Sequence, residues 1–318
     1  MSRTRQLVND WMLPGAIVLG ISLYLVYYFT PGLHSHERLL HLLVSEGQRV
    51  VIATLLFFQF VKISPHDLRF TRWHFLALAF QVGLFLGLSA IISFMPVGDP
   101  RMLLECAMLC LICPTASAAG VITEKLGGNL AGTVTYLVLI NLAGTFLIPL
   151  VIPLVNPSAT MGFWAYVGHI ALKVFPVLVL PGLLAWTIRY TTHRLQRGLM
   201  RWSSNSFYVW GVGLTLAMIL ATRALMESGL GAAAIAGIVL VSVFCCFLQF
   251  FVGRRLGADK ITPGQALGQK NTGFLIWLGY NYMTPVTSVA GGLYAIWQNL
   301  FNSWELYHES HSKPAAPR

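Results

Sequence analysis

The chain has 318 residues, of which 56% are hydrophobic and only 10% charged, with a mean hydropathy of +0.68. A soluble domain carries about 25% charged residues, so a soluble globular protein is excluded and an all-α integral membrane protein is expected. The formal net charge of +10 raises the question of a nucleic-acid partner, which the placement of the basic residues answers against.

Apolar stretches of roughly 20 residues, enough to cross a bilayer, recur along the chain. The first, 11–30, lacks a small-residue cleavage site after it and reads as a retained span rather than a signal peptide. His34, His36 and His41 follow in a loop. The second span, 41–62, is the weakest, because Glu46 and Arg49 shorten its uninterrupted apolar run to 50–61. Span three is 74–96, with Gln81 inside it. Span four, 101–124, is broken, and span five is 130–155, with Asn141 and Thr145 well inside. Interhelical hydrogen bonding is the expected role of these three polar residues. Glu105, near the start of span four, is the one carboxylate deep enough to matter, and its expected place is the outer interface. A polar turn at Asn156-Pro157-Ser158 precedes spans six (163–189), seven (203–225), eight (230–253), nine (262–283, broken) and ten (285–304).

With ten spans, the tails and the loops on the same side hold 15 of the 21 basic residues, Lys313 and Arg318 included, and the opposite loops only Arg38, Arg49, Arg101 and Arg223. Lys173 and Lys270 fall inside spans. By the positive-inside rule both termini are cytoplasmic, and the basic excess is topological, so no nucleic-acid partner is expected. Ten spans divide into five plus five near Pro157. An odd number per half inverts the second half, giving repeat one at 11–155 and repeat two at 163–304, although no residue-level self-similarity is visible. All five cysteines lie in apolar segments. Cys106, Cys110 and Cys113 share a helix face, where small packing residues are expected rather than a metal site. The histidines of the first loop, and His308 and His311 in the tail, lack a ligand pattern.

The two broken segments occupy matching places, fourth in each half. A paired break of this kind marks the substrate site of a transporter built from inverted repeats. In the first, Cys113-Pro114-Thr115-Ala116-Ser117, Pro114 removes a backbone donor and disfavours helix before it. Such breaks are tolerated at membrane depth only when buried in protein or lining a cavity, and their ends suit a cation and an anionic group respectively. The second, Gly264 to Gly273, holds three glycines, Gln265, Gln269, Asn271, Thr272 and Lys270. An ammonium within a span is costly and hence a functional candidate.

The runs Cys113-Pro114-Thr115-Ala116-Ser117, Gly128-Asn129, and Thr145 with Pro149 resemble the first crossover and following helix of the bile acid:sodium symporter (BASS) family. Gly268 to Gly273 is similar to its second crossover, and Ile296-Trp297-Gln298-Asn299 to the last helix of its bacterial members. The resemblance implies a BASS/NhaA-like fold: ten transmembrane helices in two inverted five-helix repeats, with discontinuous helices 4 and 9 crossing. It also implies a panel subdomain (11–62 plus 163–225) and a core subdomain (74–155 plus 230–304) in a bacterial inner membrane. The function implied is alternating-access transport of a small organic anion, usually with sodium.

The sodium site is where this chain departs from the family pattern. Aligning the second crossover on Asn271 puts Lys270 where the family has a glutamine and Ala266 where it has a glutamate. The first crossover continues with Ala118, Ala119 and Gly120 rather than asparagine. Gln81 and Thr133 match sodium ligands in type, and Gln269 neighbours the replaced position. A site that has lost its carboxylate at Ala266 and gained an ammonium at Lys270 should repel sodium by about 4 kcal/mol at 4 Å and an effective dielectric near 20.

Lys270 is therefore expected to stand in for sodium as a tethered cation, leaving proton coupling or uniport. Thr115, Ser117, Lys270, Asn271, Thr272 and Asn299 are the expected substrate-binding residues. The alternatives are a sodium-dependent symporter of the same fold, and an intramembrane enzyme, for which His74 and His169 are isolated and no aspartate pair lies within a span. No enzymatic activity, metal or further cofactor is expected.

Overall fold

A computed structural model describes residues 3–312. Lys313 and Arg318 lie outside the described residues, as do the side chains of Arg3, Arg5 and His311. Among the described residues the fold is entirely helical. In a hydrocarbon environment a spanning segment must satisfy its own backbone, which helices do. The helices are α1 (Arg3–Phe29), α2 (Glu37–Lys62), α3 (Arg72–Ser93), α4 (Asp99–Ile112), α5 (Ala119–Lys125), α6 (Leu130–Val155) and α7 (Phe163–Leu178). They continue with α8 (Leu180–Thr191), α9 (His193–Trp202), α10 (Ser206–Glu227), α11 (Ala232–Leu256), α12 (Ile261–Gly268), α13 (Thr272–Tyr282) and α14 (Thr287–Ser312).

Among the described residues five segments are long and apolar enough to cross a membrane: Pro31–Lys62, Arg72–Ser93, Leu130–Val155, Tyr208–Glu227 and Ala232–Leu256. The pair α7 and α8 makes a sixth if counted as one span bent by 41°. Pro181 in the first turn of α8 cannot donate back to α7, and Pro176 already lacks its own donor, so the bend falls at Val179. The chain is thus a helical membrane-embedded protein. Glu46 and Arg49 do not interrupt α2, which runs unbroken to Lys62.

Local chemistry sets the helix starts. Thr71 and His74 cap α3 reciprocally, with His74 Nδ1 accepting from the Thr71 N–H at 2.9 Å. Asn129 Oδ1 accepts from Gly132 N at 3.1 Å to start α6. α1 packs on α10, and α2 on α8 and α10, while α3 packs on α4 and α6, and α11 on α4, α12 and α14. The outward face of α11 presents Leu240, Phe244, Phe247 and Phe251, an apolar surface suited to lipid. The amphipathic α9 instead exposes Arg194, Arg197 and Trp202.

α11 and α12 approach closely. A Cβ on Gly268 would lie 2.4 Å from the Phe250 ring, and one on Gly253 would lie 2.4 Å from the Pro263 carbonyl oxygen. Glycine at these positions lets the short broken helix sit against its neighbour.

Polar residues inside the helices depart in part from expectation. Gln81 does bond between helices, donating to Cys113 O at 3.1 Å and accepting from Tyr136 Oη at 2.6 Å. Thr145 instead returns its hydroxyl to Asn141 O on its own helix at 2.7 Å, the local bond a helical threonine can always find. The Asn141 amide has no hydrogen-bond partner among the described residues. Glu105 is not the only buried carboxylate. α14 continues past 304, which places Glu305 on the inner face of the same helix, 6% exposed and ion-paired with Arg254.

Candidate functional site

The two interruptions meet. α4 ends at Ile112 because Pro114 offers no N–H to continue it, and α12 ends at Gly268. Between them the backbones pair like two short strands. Asn271 N donates to Pro114 O at 2.8 Å, Ala116 N donates to Gln269 O at 3.0 Å, and Thr115 and Lys270 form an isolated antiparallel bridge. Each break thereby satisfies groups that the other has freed from its helix.

Side chains complete the joint. Thr115 Oγ1 donates to Ala266 O at 2.7 Å, and Cys113 Sγ lies 3.1 Å from Asn271 O as a donor. Gln298 on α14 brackets Lys270, its Oε1 accepting from Lys270 N at 2.8 Å and its Nε2 donating to Lys270 O at 3.3 Å. Tyr294 donates to Gly268 O at 2.7 Å and accepts from Gln249 Nε2 at 3.0 Å. A buried polar chain leads away from the crossing: Gln269 Nε2 donates to Asn302 Oδ1 at 3.1 Å and to Gln265, and Gln265 donates to Glu305. Sequence reading misses Gln298 and Glu305 as partners, although Gln298 stands in the run 296–299 that resembles the last family helix and could have been found there.

A narrow cavity of about 70 Å³ lies on this joint. The crossing and α14 form one wall, with Ser117, Asn271, Thr272 and Asn299 among its residues, and α2 and α10 form the other, with Gln48 and Trp210. Gln269 and Lys270 also border it. Of the anticipated site residues, Ser117, Gln269, Lys270, Asn271, Thr272 and Asn299 therefore gather at one cavity.

The others do not. Thr115 is fully buried and its hydroxyl is spent on Ala266 O, so it holds the crossing together rather than facing the cavity. Ala266 is buried beneath it. Thr133 donates to Thr123 Oγ1 at 3.0 Å near the start of α6, in a network separate from that of Gln81.

Lys270 is fully buried, and its ammonium has no hydrogen-bond partner among the described residues. Its electrostatic neighbours are the thiols of Cys113, Cys110, Cys246 and Cys245, so the amine points into the packing between α4 and α11. Its backbone is held at the joint while its amine lies behind the wall. An unpaired ammonium in such surroundings is among the costliest groups a protein interior can hold.

On one side the cavity is closed by contacts between the two walls. Ser45 Oγ donates to Asn281 Oδ1 at 3.2 Å, the Arg49 guanidinium lies 5.5 Å from the Trp277 ring centre, and the His41 and Tyr280 rings are 5.5 Å apart. Two larger cavities flank the molecule at opposite ends of α3. One, of about 520 Å³, is bordered by Arg101, Glu105, Glu227 and Thr284, and the other, of about 550 Å³, by His74, Asn129, Asp259 and Thr262. At the first, Glu105 accepts from Thr284 Oγ1 at 2.7 Å and from Arg101 Nε at 3.1 Å.

No protein-family model matches the chain, and no curated protein matches it.

Proposed function

We propose that this protein is a secondary transporter of a small organic anion, working by alternating access with the substrate at the crossing. One observation carries the reading. Two interrupted helices, far apart in sequence, pair through their backbones beside a cavity lined by unwound chain and polar side chains. A protein that needed only a membrane-embedded scaffold would gain nothing from breaking two helices there.

In this reading α1, α4 with α5, α12 with α13, and α14 join the six apolar segments to make ten spans in two inverted repeats, with both termini cytoplasmic. The packing of α1 and α2 on α10 and α8, and of α3, α4, α11, α12 and α14 among themselves, supports a panel and a core of the kind the BASS resemblance implies. The α2–α13 contacts at Ser45, Arg49 and His41 then form the closed gate of one state. The remaining space between the walls is the substrate path.

Lys270 acts from behind the wall as a fixed cation. It raises the potential at the crossing without occupying the cavity, which favours an anion and disfavours sodium. The sodium-coupled alternative has one observation in its favour: Glu305 reaches the crossing through Gln265 and Gln269. Arg254 already neutralises that carboxylate.

Uptake by proteoliposomes in sodium-free buffer across a range of pH tests the reading. Anion uptake without sodium is expected, and Lys270→Met is expected to reduce it at least about tenfold, since one buried charge a few ångströms away contributes more than about 1.4 kcal/mol. Strict sodium dependence of the wild type, or undiminished transport by the variant, would count against it.

A further inference from the structure

The wall contributed by α2 carries a buried side chain that is left partly unpaired. Gln48 is 1% exposed and borders the cavity, yet its Oε1 has no hydrogen-bond partner among the described residues. Buried amides are almost always paired. Its Nε2 lies against the first turn of α13, where a Cβ on Gly273 would come within 2.6 Å of it. Glycine at 273 therefore makes room for the amide.

The first turn of α13 faces the same place. Thr272 N donates to Lys270 O at 2.8 Å, and Phe274 N donates to Asn271 Oδ1 at 3.2 Å. The Gly273 N–H between them is taken by neither. It sits at the positive end of an 11-residue helix, where a carboxylate is favoured. Gly273 at the start of the helix and both ends of the Gln48 amide thus border one narrow space, with the amide oxygen unpaired.

A plain carboxylate or a 2-oxo acid brings only acceptors and leaves Gln48 Oε1 unmet. A hydroxyl beside the carboxylate supplies the missing donor. We infer that the substrate is a small 2-hydroxycarboxylate. Its carboxylate rests on the Gly273 N–H and accepts from Gln48 Nε2, while its hydroxyl donates to Gln48 Oε1. The inference rests on the anion-transport reading and refines it, making Gln48 the residue through which the α2 wall selects the substrate. A cavity of about 70 Å³ suits an acid of this size rather than a steroid-sized one.

Binding of 2-hydroxybutyrate, 2-oxobutyrate and butyrate to the purified protein, measured by isothermal titration in sodium-free buffer, tests this. The wild type is expected to bind the hydroxy acid at least about tenfold more tightly than the other two, the effect of one well-made hydrogen bond to a buried partner. Gln48→Leu should bind all three alike, and Gln48→Glu should bind all three more weakly through charge repulsion. Gly273→Ala, whose methyl group displaces the amide, should behave as Gln48→Leu does, and serves if the latter does not fold.

Equal affinities in the wild type, or a preference that survives in Gln48→Leu, would overturn the inference while leaving anion transport standing. Failure of the wild type to bind any of the three acids, with no uptake of them by proteoliposomes, would overturn the inference and count against the transport reading beneath it.

Discussion

Thr115 and Ser117 are two residues apart and both carry hydroxyls, yet the fold gives them opposite tasks. Thr115 is fully buried and bonded to the second crossover at Ala266 O, whereas Ser117 is half-buried on the cavity wall. Thr115→Val should therefore destabilise the protein by about 1–3 kcal/mol, leaving Ala266 O unpaired, while Ser117→Ala should leave stability unchanged and lower uptake. Denaturant titration of each variant beside its uptake rate checks the pair, and the reverse pattern would show that the hydroxyls have been assigned wrongly. Lys270 makes the same point. An ammonium inside an apolar segment is conspicuous in a sequence, but sequence alone does not say that its amine turns toward four thiols while its backbone lines the cavity. Gln48 is inconspicuous in the sequence, because one glutamine beside Glu46 and Arg49 looks like part of a polar end of a helix.

Among the elements, both breaks are legible in the sequence, because proline, glycine and clustered amides disrupt a helix wherever they interrupt an apolar run. The observed gaps, 113–118 and 269–271, lie inside the expected segments. The long helices α3 and α6 also fall close to expectation, since an apolar run bounded by caps and turns has one stable form in lipid. The end of α14 is less legible. Glu305 lies just past the expected end of the last span at 304, yet it is buried and paired with Arg254, and Asn302, one turn earlier, is buried against Gln269. The short helix α12 depends on the missing side chain at Gly268. Gly268→Ala should cost about 1–3 kcal/mol through overpacking on Phe250, with partial recovery in combination with Phe250→Leu, as measured by thermal unfolding in detergent. Full stability of Gly268→Ala would mean that α11 and α12 are not so closely apposed.

For the whole molecule, the proposed alternating access requires the contacts between α2 and α13 to separate in each cycle. Cysteines placed at Ser45 and Asn281, whose side chains touch in this state, should bridge through Hg²⁺ and stop uptake, with recovery on adding thiol. Continued uptake in the bridged protein would show that this contact is not a gate. Composition by itself determined that the chain belongs in a membrane, and hydropathy with punctuation located the long apolar helices and both interruptions, though not the amphipathic α9 or the bend at Val179, because the located signals are local and lipid leaves the backbone no other solution. Only the tertiary structure decided which polar atoms meet: Gln298 with the Lys270 backbone, Glu305 with Arg254 and Gln265, Gln48 with Gly273. Those partners lie far apart along the chain. Inside an apolar segment a polar side chain has no periodic pattern to announce which neighbour will satisfy it, and the answer comes from the packing of helices that the sequence places only one at a time.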